Sequence, residues 1–99
     1  MKYVYPAIFT ATDDGILVDF PDLESCYTDG ENIKDAFVNA EDVLNLVLFN
    51  MEEKKAMIPE ASNPKNIVCN ADSFVSLVSA DTMEYRKLYD TKAVKKRCV

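Results

Sequence analysis

From Asn32 to about Lys54 the apolar residues Ile33, Ala36, Phe37, Ala40, Val43, Leu44, Val47, Leu48 and Met51 recur every three or four positions. That spacing lays one continuous stripe along a helix. The opposite face carries Lys34, Asp35, Asn39, Glu41, Asp42, Asn45, Glu52 and Glu53. Asn32 is placed to cap the start, its side-chain oxygen accepting from the free amides of the first turn. Asp35 then lies near the positive end of the helix dipole. No Gly or Pro interrupts the run before Pro59. A helix of about 20 residues is roughly 30 Å long. Such a stripe cannot stay in water, so the rest of the chain must supply an apolar surface for it.

The preceding segment reads as that surface. From Tyr3 to Ala11, Tyr3, Tyr5, Ala7 and Phe9 alternate with Val4, Pro6, Ile8 and Thr10, the period and composition of a strand. Pro6 has no amide to give a ladder, which predicts an edge strand or a position whose amide faces away from its neighbour. Thr12-Asp13-Asp14-Gly15 is a hairpin turn signal, since Gly accepts positive φ there. Ile16 to Phe20 returns, with Ile16, Val18 and Phe20 on one face and Leu17 and Asp19 on the other. After the Pro21-Asp22 break, Cys26-Tyr27-Thr28 forms a short third strand, and Asp29-Gly30 turns into the helix.

Beyond the helix, Glu60-Ala61-Ser62-Asn63-Pro64 reads as a surface loop and residues 64–70 as one helical turn started by Pro64. Ser73 to Ala80 is a fourth strand whose near-continuous apolar run predicts burial on both faces. Asp81 or Thr82 caps a short helix from Met83 to Tyr89, with Met83, Tyr85 and Leu88 facing inward. The expected fold class is α+β: a three-stranded antiparallel meander plus a fourth strand, one long helix packed on the sheet, and a short C-terminal helix. Residues 1–90 form one domain, and residues 91–99 a basic tail or exchanged edge strand.

With 99 residues, 48% of them hydrophobic, the chain suits one modest core rather than a disordered segment. No apolar run approaches the roughly 20 residues that cross a bilayer, and the first residues lack a secretory signal, so a cytoplasmic location is expected. Cys26, Cys69 and Cys98 are odd in number, widely spaced and accompanied by no His. That is neither a disulfide framework nor a zinc site, and it points to reduced structural thiols. Without His, the Ser-His and Cys-His nucleophile pairs are ruled out.

The net charge is −6. Acids dominate the body, while Arg86, Lys87, Lys92, Lys95, Lys96 and Arg97 crowd the end. An acidic body repels nucleic-acid phosphate and favours a basic protein partner; the same acids also serve simply to keep a small domain soluble. The clustered carboxylates Asp13, Asp14, Asp19, Asp22 and Glu24 are the candidates for Mg²⁺-dependent phosphodiester hydrolysis. Turn chemistry accounts for most of them, because Asp in turns is chosen for local hydrogen bonds. Asp19 is the one on a strand, and no second strand is expected to offer it an acidic partner at a comparable place. Neither a catalytic residue nor a metal or cofactor site is assigned.

Several stretches together resemble the N-terminal domain of the HicB antitoxin family. They are residues 2–9, Phe20-Pro21-Asp22-Leu23 with Cys26-Tyr27-Thr28 and Gly30, and residues 36–40. Ile58-Pro59 with Glu60 and Ser62 continues the match, as do residues 85–89 and Lys92-Ala93-Val94-Lys95-Lys96. The resemblance implies a partly degenerate ribonuclease-H-like fold without nuclease activity. It also implies a partner, a small basic ribonuclease toxin of the HicA type, and association as a homodimer or homotetramer. The antitoxin would cover the toxin's catalytic and RNA-binding surface, offering carboxylates where phosphates would sit.

The residues expected to meet that partner are Asp19, Phe20, Asp22, Leu23, Glu24, Tyr27 and Asp29. In the family the segment matching residues 92–96 usually leads into a DNA-binding domain; here Arg97-Cys98-Val99 follows, so direct operator binding is not expected. Ser25 stands where Gly is usual, and Lys54-Lys55-Ala56-Met57 replaces a more acidic, Gly-containing connector. The rival readings are a metal-dependent ribonuclease-H-like nuclease and a transcription regulator of its own operon.

Overall fold

The computed structural model describes residues 2–87. Its elements are β1 (Lys2–Thr12), β2 (Gly15–Asp19), β3 (Tyr27–Gly30), α1 (Ile33–Glu53), a 3-10 turn at Pro64–Asn66 and β4 (Ser73–Asp81), followed by α2 at residues 82–87. The strands form one antiparallel sheet in the order β3-β2-β1-β4. This is the α+β arrangement that the pattern of apolar residues predicts.

One face of the sheet is closed by α1. Tyr5, Ala7 and Phe9 of β1, Val18 of β2, and Val78 and Ala80 of β4 are buried against Ala36, Ala40, Leu44 and Leu48 of α1. Every fourth helical residue therefore lies at the bottom of the stripe, as the 3.6-residue turn requires. Phe9 stacks on Phe37 at 4.6 Å and on Phe74 at 5.1 Å between ring centroids, so three rings tie α1, β1 and β4 together.

The start of α1 is set by Asn32, whose Oδ1 accepts from the Asp35 amide at 2.9 Å. Its end is a Schellman motif, in which Lys55 N–H donates to Glu52 O at 3.1 Å and Ala56 N–H to Met51 O at 2.9 Å. Lys55 takes the left-handed conformation there, with φ 56°, where Gly is usual.

Four expectations are corrected. Asp29 and Gly30 do not turn the chain but stay in β3, and the turn falls at Glu31-Asn32. A Cβ on Gly30 would lie 2.4 Å from the Ala36 amide nitrogen, so this glycine lets α1 approach the strand. β1 is a central strand, so of the two readings of Pro6 the edge strand fails and the other holds: its nitrogen is not needed by a neighbour, because the ladder with β2 begins only at Ile8. β4 is not buried on both faces: it is an edge strand covered by α1 on one side, leaving Leu77 on the other side 52% exposed. Met83 points outward, 62% exposed.

α2 is capped by Asp81, whose Oδ1 accepts from the amides of Met83 at 3.1 Å and Glu84 at 3.3 Å. It is held to α1 by Tyr85 edge-on to Phe49, by the Arg86 guanidinium 4.5 Å from the Phe49 ring centre, and by Arg86 on Glu53 at 3.0 Å. The inward placement of Leu88 and the tail at 91–99 lie outside the described residues.

Candidate partner-binding face

Among the described residues no helix lies on the other face of the sheet, where Pro6 is buried and the remaining positions are half-buried or exposed. Strand alternation sends Val4, Pro6, Ile8 and Thr10 of β1 to that side, together with Ser73, Val75, Leu77 and Ser79 of β4 by register. At the opposite end Leu17 and Asp19 of β2 lie beside Asp29 and Tyr27 of β3, paired as Leu17↔Asp29 and Asp19↔Tyr27. Leu17 is 51% and Tyr27 67% exposed, and both acids are exposed. Two carboxylates thus alternate with an aromatic and an aliphatic side chain on a flat two-stranded platform. Asn39 of α1 donates to the Asp29 carbonyl at 2.8 Å and fixes β3 from behind.

Beside this platform lies the loop joining β2 to β3. It folds back on itself: Phe20 N–H donates to Cys26 O at 3.0 Å, and Leu23 N–H to Phe20 O at 3.1 Å. Ser25 makes the reversal at φ 55°, the conformation for which Gly is usual. The reversal drives Phe20, Leu23 and Cys26 inward, where they are 0%, 6% and 1% exposed. Burial, with the Asp19 charge nearby, pushes the Cys26 thiol up to about 11, so it is a packed, unreactive thiol.

Of the seven residues expected at the interface, Asp19, Tyr27 and Asp29 share the open platform, and Glu24 is exposed on the adjoining loop. Asp22 faces away from it, accepting from the amide and hydroxyl of Ser62, which binds the 57–62 segment to the loop. Tyr5 donates to the Pro59 carbonyl and holds the same segment; burial, then the Asp22 charge, raises its phenol above the ordinary value. Phe20 and Leu23 form the floor beneath the loop. Leu17 belongs to the platform although it was not among those seven; its signal was the alternation that puts it on the same side as Asp19.

A second concentration of acids adjoins β3. Asp14, Asp29, Glu31 and Asp35 surround a shallow hollow at the start of α1, with Asn39 at its base and no Lys or Arg in its lining. The edge of the molecule at β3 is therefore strongly negative. Among the described residues no group of three or more acids or cysteines is placed to hold a metal ion. Asp13 and Asp14 sit in the hairpin turn, and Asp19 faces Ile8 on one side and Tyr27 on the other. Nor is any helix among them long and apolar enough to cross a membrane.

No family model matches the chain. Among curated proteins it is 28% identical over 82 residues to an uncharacterized 14.9 kDa protein from the rep-hol intergenic region of Haemophilus phage HP1, spanning 61% of that protein's length. Among solved structures it matches a toxin–antitoxin complex from Streptococcus pneumoniae with TM-score 0.75 and 28% identity, over 86% of this chain and 73% of the other. It matches the HicA3 and HicB3 toxin–antitoxin complex with TM-score 0.66 and 20% identity, over 80% and 99% of the two chains. The N-terminal domain of Burkholderia pseudomallei antitoxin HicB matches with TM-score 0.67 and 22% identity, over 80% and 99%. A four-stranded antiparallel sheet, one long helix across it and a short helix after β4 are thus the fold of the HicB antitoxin domain, and the fold of this chain is HicB-like.

Proposed function

We propose that this chain is a non-enzymatic, antitoxin-like protein that binds a HicA-type ribonuclease toxin and neutralises it by covering its active and RNA-binding surface. The observation that carries this reading is the platform where Asp19 and Asp29 alternate with Leu17 and Tyr27. A surface that binds RNA is basic and has flat places for bases. A platform offering carboxylates at strand spacing beside an exposed aromatic competes for both features. The net charge of −6 speeds encounter with such a partner. The two similar complexes described above, each of an antitoxin with its toxin, support the same partner class. The reading includes self-association as a homodimer or homotetramer.

The test is reconstitution. Mixed with a HicA-type ribonuclease, the chain gives a stable complex on size exclusion and suppresses RNA cleavage. Replacing Asp19 and Asp29 together by Lys weakens the complex by at least about tenfold, a cost typical of like-charge contacts at an interface, without lowering the melting temperature. Failure of the unaltered chain to bind or inhibit would sink the reading.

A further inference from the structure

The sheet has a charged end and an uncharged end. Asp19 and Asp29 mark β2 and β3, whereas β4 has no charged residue and no Pro from Ser73 to Ala80. Its register with β1 runs from Lys2↔Asp81 to Thr10↔Ser73 without a bulge. The outer-face positions beside it on β1, Val4, Pro6, Ile8 and Thr10, add no charge either. Among the described residues the far edge of β4 is anchored only at its ends, by Ser73 N–H to Asn70 O at 3.0 Å and Asp81 N–H to Asn45 Oδ1 at 3.1 Å. Folded proteins normally blunt a free edge with Lys, Pro, a bulge or shortness. This edge is nine residues long and has none of these between its ends.

We propose that the free edge of β4 pairs antiparallel with β4 of a second copy about a two-fold axis near Leu77, joining two sheets into one. This deepens the self-association within the proposed function and makes no use of the toxin. Three observations select a second copy as the occupant. An antiparallel edge pair about a two-fold axis is self-complementary, each unpaired amide and carbonyl meeting its own counterpart. Copies of a chain with net charge −6 repel wherever acids meet, and along β4 two copies can approach with no acid between Ser73 and Ala80, Asp72 and Asp81 standing only at the ends. A basic partner gains no electrostatic advantage from that edge and is drawn instead to the β2–β3 end. Leu77 is the middle residue of β4, so a centred register sets it opposite its counterpart and Phe74 opposite Ala80 of the partner subunit. Leu77, half exposed on the open face here, is then covered by its counterpart. An edge pair of this length is a small interface, so the dimer forms and dissociates with concentration.

Sedimentation of the full chain across a concentration series should move from the mass of one chain to that of two, with amide exchange at residues 74–80 slowing in step. Leu77→Lys places two like charges face to face at the axis and should weaken dimerisation by at least about tenfold. Because this side chain is half exposed, the dilute variant should melt as the unaltered chain does. Leu17→Lys, equally exposed at the other end of the face, should leave dimerisation unchanged. A chain that stays monomeric throughout overturns the proposal together with the self-association. A dimer indifferent to Leu77→Lys overturns the β4 interface alone. Protection of residues 74–80 that does not vary with concentration also overturns it, by placing a segment of the same chain on the edge.

Discussion

The Tyr3 hydroxyl donates to Glu52 Oε2 at 2.7 Å, joining the first strand to the last turn of the long helix across 49 residues of sequence. Thr82, buried at the start of α2, donates to the same oxygen at 2.9 Å, and Arg86 lies 3.6 Å from the other. Three elements therefore meet on one carboxylate.

This node gives the stability a predictable alkaline limb. Burial, then the hydrogen bond to Glu52, pushes the Tyr3 phenol up to about 12 from an ordinary value of 10.0. A raised value in the folded state means that stability is complete below the unfolded value and falls as pH rises between the two. Melting temperature should decline from about pH 10 to about pH 12, and Tyr3→Phe should flatten that decline while lowering stability at neutral pH by about 1 kcal/mol. Thermal melts at stepped pH, with phenolate absorbance alongside, check both.

The acid limb has the opposite sign. Burial pushes the Glu52 carboxyl up, but the hydroxyls of Tyr3 and Thr82 and the Arg86 guanidinium outweigh it and hold the group below its ordinary value of 4.5. A lowered value contributes stability above the unfolded value that disappears as pH falls through the folded one. Glu52→Gln should therefore remove a measurable part of the loss of stability below about pH 5, seen as a shallower dependence of urea midpoint on pH.

Two residues stand in a backbone conformation that favours Gly, Ser25 at φ 55° and Lys55 at φ 56°. The left-handed region costs an L side chain roughly 1–2 kcal/mol, partly offset by the greater freedom of Gly in the unfolded chain. Ser25→Gly and Lys55→Gly should each raise stability by about 0.5–1 kcal/mol by denaturant titration. Gly30→Ala should do the reverse, lowering it by about 3 kcal/mol, because the added carbon meets the Ala36 backbone at 2.4 Å.

Core and platform separate cleanly. Phe20→Ala empties a fully buried site and should cost about 3–5 kcal/mol, whereas Tyr27→Ala, at a side chain 67% exposed, should change stability by less than about 0.5 kcal/mol. If the platform binds a toxin, Tyr27→Ala alone should lose affinity with the fold intact. Calorimetric melts and toxin titration distinguish the two.

Local chemistry was legible in the sequence and tertiary geometry was not. α1 is spelled out by its stripe and by Asn32, since capping and periodicity involve residues within a few positions of one another. The apolar run of β4 looks the same whether a strand is central or at an edge, so the exposure of Leu77 had no signal. Gly30 illustrates the same limit: a glycine that clears room for a helix cannot be told from one that makes a turn. In the platform, period-two alternation was enough to place Asp19 with Leu17. The inward swing of Phe20 and Leu23 depends on the loop closing on Cys26, a contact that composition does not encode.

The chain contains only two glycines, and both are fixed in place by backbone contacts. A Cβ on Gly15 would meet the Gly30 carbonyl at 2.4 Å, and Gly30 in turn lies under α1. No glycine remains in the sequence to serve as a hinge. The close approaches at these two glycines pack hairpin, third strand and helix against one another, so if the platform receives a partner, little of the entropic cost of binding goes to bringing those elements together.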